Sequence, residues 1–239
     1  MPSRASTTPA SRVYRDKLGF SLRRHYVDQF HYQQIPTIPP GSRVVDLGGH
    51  KSTKRGDFDI RQFDLDVVCV NRSAEKGADV IADAADLPFA ANTFDAALCS
   101  ELLEHVPDPR RVIAEAHRVL KPGGVLLVCT PFLYHLHADP YDFGRYTDYF
   151  WQQTLAEAGF QQVDIKPQGR FWSVVVDMFR EAAYQLDQQR QPRFKPIRLL
   201  IKQGMGIAKR CAVAWDQRPS HPVFHRFTTG FGIRAHKAA

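Results

Sequence analysis

Short apolar runs recur along the chain from residue 43 onward, and segments with helical spacing separate them. Five of these runs lie at residues 43–47, 66–70, 78–81, 94–100 and 124–130. Their apolar residues are continuous rather than alternating, which is typical of strands that are buried on both faces of a parallel sheet.

The segments between and after these runs predict helices. Residues 108–120 place Val112 and Ala116 on one helical face, and the sequence KPGG at 121–124 ends this helix before the next strand. A second helix is expected over about 147–158, closed by Gly159. This order of elements predicts an open, doubly wound α/β domain.

The remaining part of the chain departs from the alternation. Residues 163–166 predict a strand, 172–189 and 195–215 predict helices, and 229–236 predict a closing strand. We therefore expect four parts: a partly disordered N-terminal segment with a helical cover (1–38), an α/β core (39–170), a helical insertion or lid (171–220), and a closing strand with its tail (221–239).

Composition narrows the class of protein. The 239 residues are 44% hydrophobic and 24% charged, as in ordinary globular proteins. No apolar run approaches the roughly 18 residues of a membrane span, and the start has no apolar signal region. It is rich in Ser, Thr and Arg, as transit peptides are, but a frayed terminus is the favoured interpretation. Four cysteines without ligand spacing favour a reducing cytoplasm.

The net charge of +7 is unevenly distributed. Residues 26–165 hold 12 basic and 20 acidic residues, whereas 166–210 hold ten basic and three acidic. The predicted core is thus acidic, which argues against a nucleic-acid partner. Residues 195–215 place Lys195, Arg198, Lys202 and Lys209 on one face. That face fits peripheral contact with an anionic membrane, a solvated lid or a dimer surface, so the oligomeric state stays open.

The loop after the first predicted strand is a candidate ligand-binding loop. Its sequence, VVDLGGHKST at 44–53, has neither the GxGxxG pattern of dinucleotide sites nor the glycines of a phosphate-binding loop. An acidic side chain followed by glycines allows a zwitterionic ligand to approach the backbone closely. The alternative is a simple turn after a strand.

Later motifs favour the ligand site. DAADLPF at 83–89, Phe94-Asp95, and RVLKPGG at 118–124 follow in order. Together they resemble class I S-adenosylmethionine (SAM)-dependent methyltransferases of the small-molecule type, over about residues 40–165. The resemblance implies a Rossmann-like fold: a seven-stranded, mostly parallel sheet with its last strand antiparallel, helices on both faces and a helical insertion before that strand.

The resemblance also implies SAM as the cofactor and a set of residues around it. His50, Ser52 and Asn71 depart from the family, which usually has glycine at the first two positions and an acid at the third, so SAM binding is expected to be modest. A fold that has lost catalysis and serves as a binding or scaffold protein is the alternative. The cofactor-binding residues implied are Asp46, Gly48, Gly49, Asn71, Asp83, Ala84, Ser100 and Glu101.

The acceptor is expected at residues 130–147, TPFLYHLHADPYDFGRYT, where two His, two Asp, one Arg and three Tyr crowd together. The stretch is similar to that of methyltransferases from bacterial cell-surface glycan or natural-product gene clusters, which implies a hydroxyl acceptor on a small molecule or glycan. We expect His137 as the general base and Asp142 as the residue orienting it. The acceptor-binding residues expected are His135, Tyr141, Arg145 and Tyr146.

Two alternatives stay open around this stretch. Asp142 and Arg145 could form a purely structural ion pair, and His105 could fix a loop or transfer a proton.

No metal site is expected, because the His and Asp residues show no recognisable ligand spacing. A nucleic-acid methyltransferase would need an Asn/Asp-Pro-Pro-aromatic tetrad where residues 100–103 read SELL.

Overall fold

The structure is a computed structural model that describes residues 18–51, 56–138, 140–188 and 195–239, with the backbone alone over 195–203. The predictions for the first 17 residues and for Ser52 lie outside the described residues. So do those for the side chains of Lys195, Arg198 and Lys202.

Seven strands form a single sheet. Their order is β3-β2-β1-β4-β5-β7-β6, and all neighbours are parallel except β5 with β7 and β7 with β6. The strands are β1 (Ser42–Leu47), β2 (Leu65–Asn71), β3 (Val80–Ile81), β4 (Phe94–Ser100), β5 (Leu120–Pro131), β6 (Phe160–Gln168) and β7 (Gly230–Lys237). The expectation of a mostly parallel sheet with an antiparallel last strand is confirmed.

Five α-helices accompany the sheet in the described part of the chain. The first three begin at side chains that accept a hydrogen bond from the helix backbone: Ser21, Asp108 and Thr147. The helices are α1 (Leu22–Gln34), α2 (Pro109–Val119), α3 (Asp148–Glu157), α4 (Phe171–Gln188) and α5 (Lys195–Asp216). Helices α4 and α5 lie between β6 and β7 in the chain, as expected of an insertion.

The two faces of the sheet are covered unequally. On one face, α2 and α3 pack over a large core that includes Trp151, Phe94 and Ile113. On the other face, α1 packs over a smaller cluster. The described residues between β1 and β2 contain only one turn of 3-10 helix, Ile60–Gln62. This thin connection leaves space beside α1 at the carboxyl ends of the strands.

The basic face expected on α5 needs one correction. Lys209 is fully buried and donates a hydrogen bond to the Phe20 carbonyl. It therefore ties α5 to the start of α1 and is not part of a solvated basic surface. None of the helices in the described residues combines the length and apolar character needed to cross a lipid bilayer.

The larger core supplies a test of the packing. Trp151 on α3 is completely buried, whereas Tyr149 on the same helix is 79% exposed. Replacing Trp151 with Ala should lower the free energy of unfolding by about 3–5 kcal/mol, because it removes a large buried ring and leaves a cavity. Urea denaturation monitored by circular dichroism measures this change.

Tyr149→Ala is the matched control, since it shortens an aromatic side chain in the same helix without opening a cavity. Its expected effect is within about 0.5 kcal/mol of zero. Equal losses for the two variants would contradict the assignment of Trp151 to the core.

Candidate functional site

Asp46 lies near the end of β1 beneath the glycine loop. Gly48 has a φ of +76°, a left-handed conformation that glycine adopts without strain. A Cβ atom at Gly49 would collide with the Asp46 carboxylate, so glycine at 49 allows this side chain to lie beneath the loop. Burial raises the pKa of Asp46 to about 7, and the Lys51 ammonium offsets only part of this rise.

A cavity of about 750 Å³ opens at this loop. Four of the predicted cofactor-binding residues line it: Asp46, Gly48, Gly49 and Ser100. The opposite wall comes from α1 and from the connection between β1 and β2. The cavity thus lies at the carboxyl ends of β1 and β4, where open parallel sheets bind ligands.

Asn71 shapes the glycine loop from the end of β2. Its side-chain amide donates to the Gly49 carbonyl at 3.0 Å, and its side-chain oxygen accepts from the Ser73 N–H at 3.1 Å. Asn71 is half-buried and does not line the cavity. The amide oxygen has a second lone pair for a ligand hydroxyl, so the predicted role of Asn71 stays a prediction.

Asp83 and Ala84 lie in the turn after β3, outside the cavity lining. The Asp83 carboxylate accepts from the Ala85 N–H at 2.9 Å, while Ala84 is buried in the larger core. The exposed Asp83 is thereby held in a fixed turn at the sheet edge. Its predicted contact with a ligand remains untested.

Arg23 of α1 is completely buried and faces the end of β4. Its guanidinium forms an ion pair with Glu101, with an Nη2–Oε1 distance of 2.5 Å, and also donates to the Gln168 side chain. Burial alone would raise the pKa of Glu101, but Arg23 overrides this and holds it below its usual range. The backbone N–H groups of Leu22 and Arg23 donate to Asp177 of α4.

His31 of α1 reaches the same strand end. Its Nε2 lies 2.7 Å from the Ser100 hydroxyl, and burial lowers the pKa of His31 to about 3. The ring is therefore neutral at physiological pH and hydrogen-bonds Ser100 without adding a positive charge to the cavity.

Glu104, His105 and His137 converge next to Glu101. Glu104 is completely buried, and neither oxygen of its carboxylate receives a well-formed hydrogen bond from the described residues. Burial and the negative charge of Glu101 raise the pKa of Glu104 to about 8. His105 Nε2 lies 3.5 Å from Glu104 Oε1, and the rings of His105 and His137 are 4.8 Å apart.

Asp142 contacts both Arg145, as in the structural ion pair, and His137, as expected of an orienting residue. It forms a two-fold ion pair with Arg145, at 2.5 and 2.9 Å, and accepts from the His137 N–H at 2.9 Å. Arg145 lowers the pKa of Asp142 to about 2. Asp142 Oδ2 also lies 3.4 Å from His137 Nδ1. The ion pair fixes the loop, and the same carboxylate flanks the imidazole.

The other predicted acceptor residues are dispersed. His135 lines a second cavity of about 550 Å³ between its loop and α4, where its Nε2 lies 3.5 Å from Glu181. Tyr141 is exposed, and its carbonyl oxygen lies 2.6 Å from His105 Nδ1, the loop-fixing contact expected of His105. Tyr146 stacks on Phe150 and does not line either cavity described here.

The sequence did not identify Arg23, His31 or Glu104 as site residues. Arg23 and His31 lie on a helix predicted only as a cover, and the sequence does not specify which of its residues face β4. Glu104 carried a usable signal, because it is an acidic residue that follows two leucines shortly after a predicted strand.

Comparison with known proteins finds methyltransferases both by sequence and by fold. The family described as "Methyltransferase domain" matches residues 51–128. The chain is 40% identical over 151 residues to 2-methyl-6-phytyl-1,4-hydroquinone methyltransferase 1 of Oryza sativa subsp. japonica, covering 55% of this chain and 45% of that protein. It is 38% identical over 115 residues to ubiquinone biosynthesis O-methyltransferase of Xanthomonas axonopodis pv. citri, covering 43% of this chain and 48% of that protein. The chain thus spans about half the length of these relatives.

Solved structures share the fold. A SAM-dependent methyltransferase from Archaeoglobus fulgidus superimposes with a TM-score of 0.55 at 15% identity, over 94% of this chain and 98% of that one. The cyclase SpnF superimposes with a TM-score of 0.56 at 21% identity, over 91% of this chain and 81% of that one. Residues 51–128 thus match a methyltransferase domain, and the chain shares its fold with these solved structures.

Proposed function

We propose that this protein transfers a methyl group from SAM to a hydroxyl group of a small molecule. The observation that carries the proposal is the cavity at the ends of β1 and β4, lined by Asp46, Gly48, Gly49 and Ser100. It lies where open α/β sheets bind ligands, in a sheet whose strand order is that of the methyltransferase fold.

The residues present fit the cofactor. A half-buried carboxyl group with a raised pKa, such as Asp46, gains a favourable partner when a ligand brings an ammonium group beside it. Gly48 and Gly49 present bare backbone to the same space. Asp46 would bind the amino group of the methionine half. Asn71 would hydrogen-bond the ribose, and Asp83 would hydrogen-bond the adenine.

Bound SAM supplies a methyl carbon on positively charged sulfur, and transfer leaves a thioether. The chain must then position the acceptor oxygen and remove its proton. We assign proton removal to His137, whose ring is flanked by Asp142 and Arg145. Since Arg145 neutralises Asp142, the loop presents an oriented imidazole without excess negative charge.

The second cavity bears on the acceptor. Leu133, Leu136 and Met178 contribute apolar surface to it, and His135 connects it to His137 with ring centres 5.7 Å apart. Two relatives are named for hydroquinone and ubiquinone chemistry. We therefore favour a hydroxyl of a partly apolar molecule as the methyl acceptor, rather than the sugar hydroxyl of a glycan.

Cofactor binding provides the first test. Asp46→Asn should weaken binding of SAM and of its demethylated product at least about 10-fold, because it removes the charge that faces the ammonium group. Isothermal titration calorimetry measures both ligands. Binding to the unaltered protein should also tighten from pH 6 to pH 7.5, since Asp46, with its pKa of about 7, ionises across this range.

The matched control is Asp66→Asn, which removes an exposed carboxylate near the start of β2, at the opposite end of the strands. It should leave binding unchanged. If the unaltered protein binds neither ligand at millimolar concentration, the enzyme assignment fails and the scaffold alternative takes its place.

Turnover provides the second test. His137→Ala should lower kcat at least about 100-fold, the usual contribution of a general base, in an assay that scans phenolic, hydroquinone and sugar acceptors with labelled SAM. His225→Ala is the control, because His225 is an exposed histidine outside both cavities. Unchanged turnover in His137→Ala would remove His137 as the proton acceptor.

A further inference from the structure

We propose that Glu104, His105 and His137 bind a divalent transition-metal ion, such as Zn²⁺, at the acceptor side of the site. One potential ligand atom from each of these residues lies within 4.8 Å of the other two. Two imidazoles and one carboxylate form the donor set of three-ligand metal sites that keep an open position for water or substrate.

The state of Glu104 is the observation that points to a cation. Its side chain is completely buried, yet neither carboxylate oxygen receives a well-formed hydrogen bond from the described part of the chain. Arg23, the nearby buried cation, is committed to Glu101 at 2.5 Å. A buried carboxylate in this position requires either a proton or a positive ion.

The histidines are held as metal ligands usually are. His105 Nδ1 lies 2.6 Å from the Tyr141 carbonyl oxygen, and its Nε2 faces Glu104 Oε1 at 3.5 Å. An oxygen acceptor on one ring nitrogen fixes the tautomer that leaves the other nitrogen for a metal. The distance of 3.5 Å is close to the roughly 3.3 Å between two ligands of a tetrahedral zinc ion with bonds of about 2.0–2.1 Å.

His137 has a similar arrangement. Its Nδ1 lies 3.2 Å from the His135 carbonyl oxygen and 3.4 Å from Asp142. Arg145 Nη2 lies 3.3 Å from the same nitrogen, so the opposite tautomer is a competing state. When Nδ1 donates to oxygen, Nε2 is the nitrogen that binds the ion.

The role of the ion rests on the proposed function, whereas its binding does not. An ion with one open position would bind the acceptor hydroxyl and lower its pKa, so that the proton leaves to water. The oxygen then attacks the methyl carbon, and the electron pair of the carbon–sulfur bond passes to sulfur. His137 serves in this complex as a ligand, and in the ion-free protein its imidazole takes the proton.

The test is a zinc titration of the full-length protein after chelator treatment. Calorimetry should show one equivalent of Zn²⁺, with affinity reduced at least about 10-fold in Glu104→Gln, His105→Ala and His137→Ala. His225→Ala, which lacks an exposed histidine outside the cluster, should bind as the unaltered protein does. Co²⁺ should give a visible absorption spectrum that these three ligand variants lose.

Two results would overturn the proposal. One is that the unaltered protein binds no stoichiometric Zn²⁺, and the other is that Glu104→Gln and His137→Ala bind Zn²⁺ as tightly as the unaltered protein. Circular dichroism checks that each variant folds, and His137→Gln on the surface loop replaces Glu104→Gln if that variant does not fold. Titration with demethylated SAM in the same samples separates the outcomes. Cofactor binding without metal binding removes the metal site alone, whereas metal binding without cofactor binding removes the enzyme assignment alone.

Discussion

The buried ion pair between Arg23 and Glu101 holds the site together. Residue 23 connects four elements: its guanidinium binds Glu101 after β4 and Gln168 at the end of β6, and its backbone N–H binds Asp177 on α4. Breaking a buried pair by removing one partner leaves an uncompensated charge, which costs about 3–5 kcal/mol. The position of α1 over the strand ends is therefore strongly specified.

This constraint gives the neighbouring carboxyl groups different properties. Glu101 has a cation and is ionised, whereas Glu104, three residues later, is buried against the negative charge of Glu101. The same 3-10 turn, Leu103–His105, positions Glu104 and His105 side by side. One arginine is thus shared unequally between two acids, and the second acid requires another partner.

The sequence predicted what local patterning determines. Continuous apolar runs located the strands, and the carboxyl ends of β1 and β4 lie together because parallel strands end at the same edge of the sheet. The sequence could not predict contacts between distant side chains. Arg23 and Glu101 are 78 positions apart, and His31 and Ser100 are 69 apart. Asp142 also shows why residue type alone is insufficient: the same carboxylate both pairs with Arg145 and flanks His137.

Two carboxyl groups near the strand ends have raised pKa values. Asp46 lies beneath the glycine loop, and Glu104 lies beside His105 and His137. Burial raises the pKa of each by removing solvent from the anion; Lys51 offsets only part of this rise at Asp46, and the negative charge of Glu101 adds to it at Glu104. A methyl donor that carries an ammonium group would compensate the first, and a metal ion would compensate the second. The same physical cause, a carboxylate whose desolvation is not fully compensated by a cation, therefore underlies both proposed sites. It also predicts that the two sites select for positive charge, while Glu101 is already neutralised by Arg23.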